Sequence, residues 1–176
     1  MFIKNSWIHK KLHILLFSFF LLFLAGCSLS EQEAIEASLQ TFDNAVEEET
    51  KEANEETENI DYYLPNGFTV DSEVNNNIVI EHQEQTYILF VNPFESDSSE
   101  VVYETTLAFY EEPIVNITLE KNGSFIFLIV DKGPSDDTYE VIVGIGGKKM
   151  TTITEVDNMN QSVQDMLDII KSVTIK

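Results

Sequence analysis

The spacing of apolar positions changes twice along the chain. Between residues 60 and 156, short runs rich in β-branched and aromatic residues are separated by turn residues, which predicts a series of strands. Phe68, Val70 and Val74 follow the turn Pro65-Asn66-Gly67 and mark the first. Residues 78–82 and 86–91 come next, joined through Gln83, Glu84 and Gln85 as a hairpin. After the polar loop 95–100, residues 101–110 (VVYETTLAFY) are read as another strand, since Val, Thr, Tyr and Phe favour a pleated, half-buried surface. Val115, Ile117 and Leu119 alternate with Asn116, Thr118 and Glu120, the period of a strand with one wet face. Asn122-Gly123 then signals a tight hairpin into residues 125–131, a near-continuous apolar run suited to the centre of the sheet. Residues 139–145 and 150–156 form a last hairpin around Gly146-Gly147. Beyond it the period lengthens: Val163, Met166, Leu167 and Ile170 share one helical face, with Asn160 the expected N-cap. The expected class is α+β, a single antiparallel meander sheet covered on one face by the C-terminal amphipathic helix.

Upstream of the sheet the pattern is helical and narrow. Ile35, Leu39, Phe42 and Val46 recur at steps of four, three and four, with Ala34, Ala37 and Ala45 adding helix propensity. This N-terminal arm serves either to dock a partner or to pack on the domain that follows. Four apolar residues are too few for a sustained coiled coil, which favours packing. Residues 47–59 then lose every large apolar side chain and carry seven glutamates, so no burial offsets the entropy of ordering them. A frayed helix or disordered spacer is expected, spanning about 20 Å as helix or roughly 43 Å extended and holding a domain clear of a surface. The organisation expected is therefore residues 1–26, 27–59 and 60–176 as leader, lipidated arm with acidic spacer, and domain.

The leader has three parts. Lys4, His9, Lys10, Lys11 and His13 are basic; residues 14–24 are apolar except Ser18; Ala25 and Gly26 are the small residues of a cleavage site. Eleven residues are too few to span about 30 Å of hydrocarbon, which takes roughly 20 in a helix. Leu24-Ala25-Gly26-Cys27 resembles the lipobox of bacterial lipoprotein precursors. The resemblance implies that Cys27 is acylated and becomes the first residue of the mature chain. Cys27 is also the only cysteine, so an internal disulfide is not its purpose. Two acyl chains reach the regime of stable attachment, at about 0.8 kcal/mol per buried methylene.

Composition sharpens this picture. The chain has no arginine, and its first 26 residues hold three of its ten lysines and none of its 31 acids, so removing them takes the formal charge from −21 to −24. Nucleic-acid binding, which requires phosphate neutralisation by Lys and Arg, is excluded on this balance. The expected partners are the membrane, through the lipid on Cys27, and a cationic protein or cell-envelope component.

Candidate chemistry is sparse. His82 is the one histidine beyond the leader and shares a strand face with Ile78 and Ile80. There is no Gly-x-Ser-x-Gly elbow. Gly144-Ile145-Gly146-Gly147-Lys148 lacks the Ser or Thr of a phosphate loop and precedes a strand pattern, so a hairpin turn is expected there. Asp131, Asp136 and Asp137 are weak candidates for a divalent ion; no metal or cofactor is otherwise expected. The aromatics of the strands are read as core residues rather than a ligand cleft. Leu64-Pro65-Asn66-Gly67-Phe68 leading into strands and a last helix resembles the layout of PsbP/Mog1-like domains over residues 62–176, which implies an accessory rather than an enzymatic role. The function expected is a non-enzymatic binding or accessory lipoprotein on the extracytoplasmic face of the cell membrane. The alternatives are a carboxylate-dependent cell-wall hydrolase and an acidic metal-binding lipoprotein.

Overall fold

A computed structural model describes residues 30–176. Cys27 and the leader lie outside the described residues. The fold is α+β, with helix α1 (Glu31–Glu47), a two-residue strand β1 (Glu55–Glu56), β2 (Ile60–Tyr62), β3 (Thr69–Val74), β4 (Asn77–His82), β5 (Gln85–Val91) and a short helix α2 (Val101–Leu107) in its first half. Strands β6 (Val115–Lys121), β7 (Ser124–Lys132), β8 (Thr138–Ile145) and β9 (Lys148–Glu155), helix α3 (Met159–Ser172) and β10 (Thr174–Ile175) complete it. Seven antiparallel strands form the main sheet in the order β3-β4-β5-β9-β8-β7-β6. The sheet is thus two meanders that start at opposite edges and meet where β5 pairs with β9. The predicted hairpins fall where their turn residues sit: Asn122 and Gly123 take φ of 53° and 83°, and Gly146 takes 54°.

Strand β7 shows why the run 125–131 is apolar throughout. Ile126, Leu128 and Val130 enter the main core on one face, whereas Phe125, Phe127 and Ile129 enter a second cluster on the other. The main core lies under α3, whose Met159, Val163, Met166, Leu167, Ile169 and Ile170 are all fully buried. Helix α1 packs beside α3 in the same chain. Ile35, Phe42, Ala45 and Val46 join the core with Leu39 against its rim, and the Lys171 ammonium donates to the carbonyls of Ala45 and Glu48 at 2.6 Å each. Helix α1 begins at a capping box in which Ser30 and Glu33 satisfy each other's backbone N–H groups.

Three expectations are corrected. Residues 101–110 are not a strand: 101–107 form α2, which lays Val102 onto Phe125, Phe127, Ile129 and Ile142, with Tyr103 and Leu107 packed against the same cluster. Packing at i and i+4 prevails over strand propensity there. Helix α3 begins at Met159 behind a 3-10 turn, Val156–Asn158, so Asn158 rather than Asn160 occupies the N-cap position. The acidic segment is neither frayed helix nor loose spacer. Asn54 clamps Leu64 through both side-chain atoms, donating to its carbonyl at 3.0 Å and accepting from its N–H at 2.7 Å. Glu55 and Glu56 pair with Tyr62 and Asp61, and Thr57 Oγ1 accepts from the N–H groups of Asn59 and Ile60. Backbone pairing orders the segment without apolar burial, and lays it along the domain rather than between the domain and a surface. Strands β1, β2 and β10 form a separate three-stranded ribbon, tied by Lys176 to Glu56 and Asp61.

Candidate functional site

A concavity of about 640 Å³ opens at one end of the sheet, between the β4–β5 hairpin, the last residues of β9 and the first turns of α3. The hairpin places His82, Gln83, Glu84 and Gln85 on one wall; Thr154, Glu155 and Asn158 form the floor, and Gln161, Ser162 and Asp165 the other wall. Gln161 and Asp165 stand one helical turn apart on the polar flank of α3, whose opposite side is in the core.

The imidazole of His82 is held rigidly. Its ring stacks on Phe68 with centroids 4.1 Å apart and planes 6° from parallel. Nδ1 lies 3.1 Å from the Gly67 carbonyl oxygen, so in the neutral ring Nδ1–H donates there and Nε2 remains an acceptor. Gly67 takes φ of +89°, and a Cβ there would press on His82 Cε1 at 3.3 Å, so the turn needs glycine on both counts. The phase expected for His82 with Ile78 and Ile80 agrees with its half-buried position at the end of β4.

Behind the groove runs a closed set of hydrogen bonds. Gln85 Nε2 donates to Thr152 Oγ1 and to Ser162 Oγ, each at 2.9 Å. Thr152 Oγ1 passes its own proton to the Thr86 carbonyl at 2.7 Å, and Ser162 Oγ donates to the Asn158 carbonyl at 3.0 Å. Ser162 is thereby engaged as donor and acceptor by groups that are not bases, an arrangement unlike an activated nucleophile. Asp165 accepts from Gln161 Nε2 at 3.0 Å. Burial pushes its carboxyl above the usual range; the Gln161 hydrogen bond and the nearby His82 act the other way, and Asp168 adds to the rise. Burial likewise raises the Tyr87 hydroxyl beneath the groove.

The lining carries three carboxylates, Glu84, Glu155 and Asp165, one imidazole, and no lysine. It also holds the amides of Gln83, Gln85, Asn158 and Gln161, of which Gln85 Nε2 is committed to Thr152 and Ser162 and Gln161 Nε2 donates to Asp165, so their carbonyl oxygens add to the acceptors; Ile153 is the one aliphatic side chain. Such a site suits a small, polar, positively charged group rather than an anion or an apolar ligand.

The other sequence-level candidates do not converge. Asp131 sits in β7 opposite Glu140, whereas Asp136 and Asp137 are exposed in a turn closed by hydrogen bonds between Gly133, Ser135 and Thr138. No group of three or more His, Cys, Asp or Glu among the described residues is arranged to hold a metal ion. The Gly146-Gly147 turn is a hairpin as expected, covered by the protein's own loop: Gly147 N–H donates to Ser96 O at 3.1 Å, and Lys148 pairs with Asp97 at 2.8 Å. Sequence reading named His82 but not Gln85, Glu155, Gln161 or Asp165, and the one available signal was that α3 keeps a continuous polar flank. Comparison with protein-family models and with curated proteins gives no match to the chain.

Proposed function

We propose that the protein is a membrane-anchored extracytoplasmic lipoprotein, attached through Cys27, whose domain is a non-enzymatic binding module for an ammonium-bearing segment of a protein or envelope component. The observation that supports it is the groove of three carboxylates and four amides without a lysine. An ammonium donates three hydrogen bonds and accepts none, which matches this surplus of acceptors. The anchor rests on the lipobox and leader; no described helix is long and apolar enough to cross a membrane.

Calorimetric titration of the Cys27→Ser chain lacking residues 1–26 with a tetralysine peptide tests the binding reading. Replacing Glu155 with Gln and Asp165 with Asn together is expected to weaken binding roughly tenfold, at about 0.2–1 kcal/mol per exposed pair and more where one is buried. Equal binding by both proteins, or none at millimolar peptide, would refute the assignment. The hydrolase alternative has Asp165 in its favour, a carboxyl held protonated to higher pH inside a groove. It needs a second acid across the groove, for which Glu84 on the hairpin wall and Glu155 on the floor are the candidates, so loss of activity toward a wall polymer in Asp165→Asn would favour it.

A further inference from the structure

The structure has two distinguishable ends, and the described chain starts at one of them. Glu31, in the first turn of α1, pairs with Lys132 at the end of β7 at 2.8 Å, and Lys132 also donates to the Tyr139 hydroxyl at the start of β8. The end of β9, the β4–β5 turn and the start of α3 lie at this end too, because Gly133 to Thr138 joins β7 to β8 and Thr138 stands in register with Glu155. Helix α1 runs away from it for 17 residues, about 25 Å, until Val46 and Glu47 meet Lys121 at the end of β6. Among the described residues each end carries one nearly bare phenyl ring. Phe109, 88% exposed, follows α2 at the α1-start end, next to Tyr110, whose hydroxyl donates to Glu140 at 2.8 Å. Phe94, 92% exposed, stands at the far end beside the β3–β4 turn and Lys176.

Resting on the lipid-anchor reading, we infer that the end bearing the α1 start docks against the bilayer surface, with Phe109 in the interfacial layer and the groove opening beside the headgroups. Three Cα–Cα steps separate Cys27 from Ser30, the capped start of α1, so that end cannot be more than about 11 Å from the acylated residue. The acidic segment adds nothing to this reach, since it lies downstream of α1 and is paired into the domain. Charge does not drive the contact: Glu111, Glu112, Asp136 and Asp137 share this end and are repelled by anionic lipid. The tether holds the surfaces together, and an exposed phenyl ring is the group that gains from leaving water. Ions that screen the carboxylates therefore deepen the contact. The ligand of the groove is consequently met at the membrane surface.

The only tryptophan, Trp7, lies in the leader, so Phe109→Trp and Phe94→Trp each give the processed lipoprotein a single indole reporter. Both sites are exposed, and thermal melts establish that each variant folds. The lipidated proteins are reconstituted in phosphatidylethanolamine–phosphatidylglycerol vesicles containing acyl-brominated lipid. Quenching several-fold stronger for Phe109→Trp than for Phe94→Trp, and increasing with added salt, is the expected result. Equal quenching, or the reverse order, overturns the orientation. Mass spectrometry of the purified wild-type chain separates the two readings. A diacylglyceryl group on an N-terminal Cys27 together with equal quenching of the lipidated pair leaves the anchor standing and removes the orientation; an unmodified Cys27 removes both.

Discussion

On the inner face of the sheet Leu89, Val141, Val143 and Met150 are sealed under two parallel helices, whereas on the outer face α2 covers β7 and β8 and reaches across only as far as Lys149 and Phe90. Over the other half Ile88 and Ile153 remain about two-fifths exposed, at 41% and 39%. The same strands supply both faces by alternation, so the difference comes from what lies on top. Seven helical residues cannot cover seven strands, and the bare half contributes little to the apolar burial that stabilises a domain of this size. Stability is therefore concentrated inside and beneath α2, leaving the remaining outer surface tolerant of change.

Truncations grade this contrast. Phe127→Ala, in the covered outer cluster, is expected to cost about 3–5 kcal/mol, and Leu167→Ala on the inner face about 2–5 kcal/mol, both measured by urea unfolding. A Phe127→Ala cost below about 1 kcal/mol would demote the outer cluster from core to surface. Ser30→Ala removes the cap of the outermost inner-face helix and should cost about 1 kcal/mol; no loss would mean that α1 is held by packing alone.

Lys149 marks the border between the two outer halves. Its ammonium donates to Thr106 Oγ1 at 3.1 Å, and burial lowers its pKa, with Glu140 opposing. Between the lowered folded value and the ordinary lysine value near 10.4, the unfolded chain holds the extra proton, so stability should rise with pH through that window. The Lys149→Met protein should be the more stable at neutral pH and lose this alkaline rise; melts across pH 8 to 10.5 check both, on the order of the ordinary lysine titration range. The smallest effect is expected on the bare half, where Ile88→Thr should stay within about 0.5 kcal/mol; a loss matching that of Leu167→Ala would show that something covers this face.

Much of the sheet was legible because its turns carry their own chemistry. Asn122, Gly123 and Gly146 adopt the positive φ that their residues tolerate, whereas Gln83 takes φ of 55° without such a preference and its turn was legible only from the polar run between two strands. Helix α2 was misread because VVYETTLAFY has strand composition, although Tyr103, Leu107 and Tyr110 also carry the helical spacing with which they meet the outer cluster. The order in the acidic segment left no trace in hydrophobicity, since one asparagine clamp and backbone pairing produce it. The groove was illegible for another reason. Gln85 and Ser162 are 77 positions apart, and each is an ordinary polar residue until β5 and α3 bring them within 2.9 Å.

The ribbon formed by β1, β2 and β10 sets the order of events in the life of the chain. Asn59 O accepts from the N–H of Lys176, Ile60 and Asp61 stand opposite Ile175 and Thr174, and the Lys176 ammonium reaches Glu56 across 120 positions. Contacts so distant in sequence close late, after the loop entropy between them has been overcome. A nascent chain therefore has no partner for β2 on its outer edge until residues 174–176 have left the ribosome. Closure of the ribbon is thereby deferred until residues 174–176 have been made, more than a hundred positions after β2.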